Sequence, residues 1–152
     1  MFSLYLVLKF IHIFSAIVAV GSNLTYGVWF ARAGTQPAQL GFALKGIKFI
    51  DDRIANPAYG VLFLTGLIMI FLGHWSITSL WIIIAIVLFI VLAVLGFAVA
   101  SPQFRNQIRL VDAGDTSSPE FVRNARGGRI LGPLLGVIVL VILAMMVFKP
   151  TL

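Results

Sequence analysis

Long apolar stretches alternate with shorter polar or charged connections along the whole chain. A helix needs about 20 apolar residues to cross the hydrocarbon core of a bilayer. Four stretches are close to that length or exceed it, so the pattern predicts four transmembrane helices in a single domain covering residues 1–152. The predicted spans are residues 4–31, 54–73, 80–100 and 130–148.

Charge is concentrated in two of the three connections. All five Asp and Glu, and nine of the 11 Lys and Arg, lie between the first and second spans or between the third and fourth. Because Lys and Arg of short loops stay on the cytoplasmic side, these connections are predicted to be cytoplasmic. The fold class that follows is an all-α integral membrane protein, a four-transmembrane-helix bundle with N-out/C-out orientation and cytoplasmic helical extensions.

Composition agrees with this fold class. The chain is 61% apolar and 11% charged, whereas soluble domains average roughly 45–50% apolar and about 25% charged. The absence of cysteine excludes disulfides and thiolate metal sites. Basic residues held at an anionic leaflet explain the net charge of +6. The predicted partner is therefore the lipid bilayer and not nucleic acid.

Both charged connections carry helical patterns. The segment 37–52 has apolar residues at helical spacing and is predicted to lie on the membrane interface or to run into the second span, bending at Asn56-Pro57. In the second charged connection, Ser118 is predicted to be the N-cap of a helix and Pro119 its first residue. The third and fourth helices are therefore predicted to protrude as an arginine-rich hairpin. This hairpin is interpreted as a solvated face with topology anchors, or as a surface that binds an acidic partner or a lipid headgroup.

A glycine ridge marks the fourth span. Gly128, Gly132 and Gly136 recur every four residues, which places them on one helix face and lets another backbone approach closely. Pro133 falls inside the ridge and can kink it. We expect the ridge to pack within the monomer. A homo-oligomer formed through these glycines is the alternative.

Polar residues form a stripe on the first span, whereas the third and fourth spans are apolar and predicted to be scaffold. Lipid cannot satisfy a polar stripe, so it must face protein, water or a cofactor. Within the stripe, His12 lies about 12 Å below the predicted outer helix end, at ~1.5 Å per residue. The stripe contains Tyr5, Lys9, His12, Ser15, Ser22, Asn23 and Tyr26.

His12 is the sharpest candidate for chemistry. A neutral imidazole at this depth can bind haem iron, as in haem b, bind another metal ion, or relay a proton. The alternative is a structural hydrogen bond to a neighbouring helix. Lys9 precedes it by three residues on the same face. Its amine either extends to the outer surface or pairs with an anion such as a propionate or phosphate.

His74 ends the second span beside Trp75 and near Trp81. It is interpreted as part of an aromatic belt at the outer interface, or as the second ligand of a haem held with His12. Two axial ligands of one haem need similar depth, and His12 is predicted to lie deeper. A single histidine ligand is therefore favoured.

A second polar group is predicted near the inner end of the first two helices. Asn56 and Tyr59 reach the same depth as Asn23 and Tyr26. We expect these side chains to cap helices and to satisfy the backbone freed by Pro57. Gating of a pathway is the alternative.

The first span also resembles a known family. Its pattern Leu8-Lys9-Phe10-Ile11-His12-Ile13, then Gly21, then Trp29-Phe30-Ala31-Arg32, is similar to the opening helix of small bacterial four-span proteins. The family is that of predicted integral membrane proteins of unknown function (domain of unknown function 2269), grouped with CopD-type copper-resistance proteins and HemJ-type protoporphyrinogen oxidases. The resemblance covers residues 4–33, with the order of the spans and Leu64-Thr65-Gly66 beyond them.

The resemblance implies a multi-pass protein of the bacterial cytoplasmic membrane. HemJ-like proteins are haem-associated, and their first-helix histidine corresponds to His12, with Lys9 as its neighbour. Leu80-Trp81 stand where the HemJ pattern has a lysine, and no methionine or histidine cluster suited to copper is present. The functional hypotheses are a haem- or metal-associated redox protein using His12, a permeation or export protein lined by the first-span stripe, or an assembly partner without catalytic activity.

Overall fold

A computed structural model describes residues 3–33 and 36–150, and within these ranges the chain is helical with no strand. Four continuous helical stretches are long and apolar enough to cross a membrane: Leu4–Ala33, Ala38–Leu72, Leu80–Asp112 and Pro119–Phe148. The predicted all-α membrane fold with four spans is therefore confirmed. Its elements are α1 (Leu4–Ala33), α2 (Pro37–Ile50), α3 (Asn56–Leu72), α4 (Leu80–Val94), α5 (Ser101–Asp112) and α6 (Pro119–Phe148).

Two π-helical segments extend the middle spans beyond their apolar lengths. Asp51–Ala55 joins α2 to α3, and Leu95–Ala100 joins α4 to α5. At the end of the first segment, the N–H of Asn56 donates to the carbonyl of Asp51, five residues earlier. The next residue, Pro57, has no N–H, so the α-helical hydrogen-bond pattern cannot pass through this point. The α2 helix thus runs into the second span, one of the two predicted arrangements.

The same local rule applies in the third helix. The N–H of Ser101 donates to the carbonyl of Gly96, and Pro102 follows.

On the last helix, Ser118 forms the predicted N-cap because its hydroxyl accepts a hydrogen bond from the N–H of Phe121 at 3.2 Å. The third and fourth helices continue past their apolar lengths, as α5 and the first turns of α6, whereas their protrusion from the bilayer stays a prediction.

The helices pair as two hairpins. α1 packs against α3 and α4 packs against α6, while α2 contacts both α1 and α5 at the charged end. Aromatic rings connect the hairpins: Phe63 and Phe89 stack with centroids 4.9 Å apart, and Tyr59 meets Phe89 edge-on at 6.1 Å. This arrangement places one face of α1 against α3 along much of its length.

Fully buried side chains include Ile82 near the start of α4, which is 1% exposed, and a larger group at the charged end of the molecule. Leu44 and Ile47 of α2 are fully buried, and Leu110 of α5 and Phe121 of α6 pack in the same region. Most large apolar side chains of the spans are exposed on the protein surface, including Phe10, Leu24, Phe71 and Leu140. Such an outward apolar surface is expected for helices whose solvent is lipid.

The glycine ridge does not pack within the monomer. A Cβ added at Gly132 or Gly136 would meet no atom within 4 Å, and one at Gly128 would meet only Nε2 of Gln103, at 4.0 Å. The expectation of packing inside the monomer is therefore wrong for the residues that the structure describes. The α4 helix packs on another face of α6, so the ridge stays open.

Candidate functional site

His12 lies between α1 and α3, with part of its surface still exposed. Its Nδ1 is 2.9 Å from the carbonyl oxygen of Leu62 and 3.1 Å from Oγ1 of Thr65. The imidazole therefore faces the neighbouring helix, as the polar stripe predicted. This contact explains how a polar ring is held in an apolar helix without facing lipid.

The carbonyl of Leu62 determines which imidazole nitrogen carries the proton. A carbonyl oxygen only accepts hydrogen bonds, so Nδ1 must be the donor across the 2.9 Å contact. In the neutral ring, Nε2 then carries a lone pair. Among residues 3–33 and 36–150, no hydrogen-bond partner is found for Nε2. Histidines that bind metals commonly use this arrangement, in which a backbone carbonyl orients the ring and the other nitrogen is the ligand.

Thr65 and Gly66 shape the surface of α3 that receives the ring. Thr65 is buried, and its hydroxyl donates to the carbonyl of Val61 at 2.7 Å, which leaves its oxygen free to accept from His12. A Cβ at Gly66 would lie 3.0 Å from Cε1 of His12, closer than an ordinary contact. Only glycine therefore fits at position 66 without moving the imidazole.

The sequence contained this motif without indicating its role. Leu64-Thr65-Gly66 was noticed as part of the family resemblance but was not connected with His12, because the two segments are about 50 residues apart in the chain. The signal available in the sequence was a glycine next to a threonine inside an otherwise apolar span.

His74 lies far from His12. The ring of His12 meets α3 at Leu62 and Thr65, and at ~1.5 Å per residue this level is roughly 14–18 Å along the chain from His74. His74 is exposed with a φ of 53° just beyond the end of α3. The structure therefore does not bring the two histidines together, and a role of His74 in binding a cofactor by itself remains a prediction.

The end of the molecule around His74 carries an aromatic and basic cluster. Trp75 and Trp81 meet edge-on with centroids 5.5 Å apart, and Nζ of Lys149 lies 4.5 Å from the Trp75 centroid and 5.3 Å from the Trp81 centroid. These contacts fit the predicted aromatic belt, because tryptophan and lysine both favour a membrane interface. Lys9 is also exposed and precedes His12 by about one turn, on the side of the N-terminus.

The inner part of the stripe is closed by hydrogen bonds to the next helix. Nδ2 of Asn23 donates to the hydroxyl of Tyr59 at 2.7 Å, and the hydroxyl of Tyr26 donates to Asp51 at 3.3 Å. Asp51 also accepts from Nδ2 of Asn56 at 3.2 Å. The four predicted inner residues are thus brought together. The sequence did not predict that Asp51 would join them from the first π segment.

The serines of the stripe lie along the same helix pair. Ser15 is buried and Ser22 is half-buried. Together with the bonds of Asn23 and Tyr26, their burial indicates that the stripe serves largely as the contact surface between α1 and α3. Two open clefts of the described chain lie at the charged end, away from the stripe.

Comparison with known families gives a match along almost the whole chain. A family model described as predicted integral membrane protein (DUF2269) matches residues 6–150. The chain belongs to this family. No curated protein and no solved structure gives a significant match. The family description states the membrane location and no activity, so the chemistry of this DUF2269 protein must be argued from its site.

The donor groups around His12 suit a cofactor that brings its own ligands. Within the described residues, no group of three or more His, Asp or Glu is placed to hold a metal ion. A bare ion at His12 would thus need ligands from elsewhere, whereas haem supplies four nitrogens and requires only axial ligands. In this DUF2269 protein, His12 is the residue whose Nε2 lone pair would hold such a group.

Proposed function

We propose that this protein is a haem-associated redox protein of the membrane, in which Nε2 of His12 is an axial ligand of haem b. The proposal rests on the 2.9 Å contact between Nδ1 and the Leu62 carbonyl, which orients the ring and leaves Nε2 as a lone-pair donor. A bound haem would supply one-electron chemistry. Thr65 and Gly66 would hold the imidazole in place, and Lys9, about one turn away on the same helix, would pair with a propionate.

The proposed location is the bacterial cytoplasmic membrane, with both termini outside. The resemblance to CopD-like and HemJ-like proteins supports the bacterial assignment. The confinement of all five acids and nine of the 11 basic residues to two connections supports the orientation. In this orientation His12 lies in the outer half of the bilayer. Because His12 is partly exposed beside α3, a haem there would be covered on its other side by lipid or by another protein.

Absorption spectroscopy tests the haem proposal directly. Protein purified in mild detergent from haem-replete cells is expected to show a Soret band with close to one haem per chain. The His12→Ala and His12→Asn variants are both expected to lose it. Asparagine is informative because its amide can still donate to the Leu62 carbonyl but has no nitrogen lone pair for iron.

The control is His74→Asn, which removes the other histidine and is expected to retain the band. A colourless wild-type protein without stoichiometric metal would refute the proposal. So would a Soret band of unchanged position and intensity in the His12→Asn variant. If the band is lost only in His74→Asn, haem is bound at the outer end and not at His12.

A second candidate function, that of an assembly subunit, is favoured by the open glycine ridge. Gly132 and Gly136 leave room for another backbone to approach α6, and we propose a second copy of this chain as its partner. Gly132→Ile is then expected to convert a dimer in detergent into a monomer. Gly21→Ile is the matched control, because Gly21 is equally open on α1 but lies outside the ridge. A wild-type monomer, or a dimer that survives Gly132→Ile, would exclude this function.

A further inference from the structure

An open cleft lies at the start of the fourth helix, at the charged end of the molecule and far from His12. Its volume is about 240 Å³. Its lining is apolar on one side and basic on the other, since Phe121, Val122 and Ala125 face the same space as Arg126 and Arg129, with Thr116 at its edge. A cleft with these two halves suits a ligand that is itself both anionic and apolar.

The arginines of the cleft are available to an external anion. Among residues 3–33 and 36–150, neither Arg126 nor Arg129 forms an ion pair, and both are exposed. No acidic residue lines the cleft. Two positive charges therefore face one space without a compensating carboxylate.

The acidic residues nearest in sequence are already engaged. Glu120 accepts from Nδ2 of Asn106 at 2.8 Å and pairs with Arg109 at 3.2 Å. The carboxylate of Asp115 accepts from the N–H of Ser118 at 3.0 Å. These bonds hold both carboxylates on the loop and the α5 side, so within the described residues neither of them pairs with an arginine of the cleft.

The depth of the cleft identifies the kind of anion. The uninterrupted apolar part of the fourth span begins at Ile130, directly after Arg129, and Ile130 itself is 66% exposed as expected for a lipid-facing residue. The guanidinium groups are thus at the level where lipid phosphates lie. Below them, exposed apolar side chains such as Leu134 continue along α6 towards the bilayer centre.

We propose that this cleft is a binding site for the headgroup of an anionic phospholipid, with Arg126 and Arg129 binding its phosphate. Phe121, Val122 and Ala125 contact the glycerol and the first part of the acyl chains. Charge complementarity and depth both favour a lipid over an acidic protein, which would need no apolar floor continuous with the membrane. The site is independent of His12 and of the haem proposal.

Lipid titration of the purified protein tests this site. The detergent-solubilised protein is titrated with phosphatidylglycerol or phosphatidylcholine, and bound lipid is measured by native mass spectrometry. Selective binding of phosphatidylglycerol is expected. The Arg126→Gln/Arg129→Gln variant is expected to bind it about 25-fold more weakly, at about fivefold for each arginine near an anionic surface.

Two further variants separate a defined site from diffuse attraction. Arg53→Gln/Arg105→Gln removes the same charge from exposed arginines that do not line the cleft, and it is expected to bind phosphatidylglycerol like the wild type. Ala125→Leu keeps every arginine but fills the cleft, and it is expected to weaken binding. Thermal unfolding of each variant without added lipid checks that folding is intact, with Ala125→Val as the substitute if leucine destabilises the protein.

Three results would overturn the site. The first is equal binding of phosphatidylglycerol and phosphatidylcholine. The second is an equal loss in the cleft variant and in the Arg53/Arg105 control, which would show diffuse charge. The third is full displacement of the lipid by inorganic phosphate at comparable concentration, which would show a simple anion site.

Discussion

At the scale of single residues, the candidate site depends on contacts between side chains and one backbone carbonyl. His12 was selected from the sequence because an ionisable residue at membrane depth is costly to bury. Its partners, Leu62, Thr65 and Gly66, could not be selected in the same way. A carbonyl is present in every residue, and a threonine or glycine in a span is common.

Replacing His12 separates its structural role from its role as a ligand. His12→Ala is expected to lower the free energy of unfolding by about 0.5–1.5 kcal/mol, the net contribution of a hydrogen bond, because it removes the bond to the Leu62 carbonyl while the Thr65 hydroxyl keeps its bonds within α3. His12→Asn is expected to cost less than about 1 kcal/mol, because the amide N–H can replace Nδ1–H as donor. Both losses are measured by unfolding the haem-free protein in mixed micelles. Equal losses in the two variants would show that the 2.9 Å bond contributes little.

Tyr59 provides a test of the closed inner stripe. Tyr59→Phe removes the acceptor of Asn23 and keeps the ring that packs on Phe89. We expect a loss of about 0.6–1.7 kcal/mol in the free energy of unfolding, the range found for hydrogen bonds between membrane helices. If the stripe is instead a hydrated path, water replaces the hydroxyl and stability stays unchanged. The control is Tyr5→Phe, which removes a hydroxyl from the polar stripe of α1 but does not affect this bond.

At the scale of elements, proline and capping rules account for most helix boundaries. Pro57 predicted an interruption, and the structure resolves it as a π segment that keeps α2 and α3 continuous. The third helix was predicted to continue beyond its apolar stretch, but the interruption before Pro102 was not predicted, and the structure has a second π segment there. The proline rule therefore predicted where the second helix is interrupted, but not that the interruption is a π segment.

The N-cap of α6 gives a prediction at this scale. Ser118→Ala removes the oxygen that accepts from the N–H of Phe121. A loss of about 1 kcal/mol in the free energy of unfolding is expected, as for other serine caps. Ser117→Ala is the matched control, since Ser117 is an exposed neighbour outside the cap. An equal effect of the two substitutions would argue against capping.

At the scale of the whole molecule, much of the tight packing is where the charges are, with Ile82 of α4 as a fully buried residue within the spans. The segment 37–52 was predicted as an amphipathic helix, and its apolar face supplies the fully buried Leu44 and Ile47. The spans themselves bury few side chains. A soluble protein would show the reverse order, because there the most apolar segments form the core. In a bilayer, lipid chains solvate the apolar segments as well as a protein core would, so these segments need not be buried.

Two leucines test this distribution of packing. Leu44→Ala, at a position that is 0% exposed, is expected to cost about 2–5 kcal/mol in the free energy of unfolding. Leu140→Ala, at a position that is 61% exposed on α6, is expected to change stability little, because lipid fills the space. The two measurements use the same substitution in the same detergent. A larger loss at Leu140 would place the main core within the spans.

By itself, the sequence determined the membrane class, the four helices, the continuous face of polar residues on the first span and the choice of His12. These follow from hydropathy, helical periodicity and the cost of burying polar groups, which act locally along the chain. Tertiary structure alone decided that Leu62 and Thr65 meet His12, that the glycine ridge stays open and that two arginines share a cleft. Those outcomes depend on which helix faces touch, and a span that is apolar on every side carries no pattern to select its neighbour.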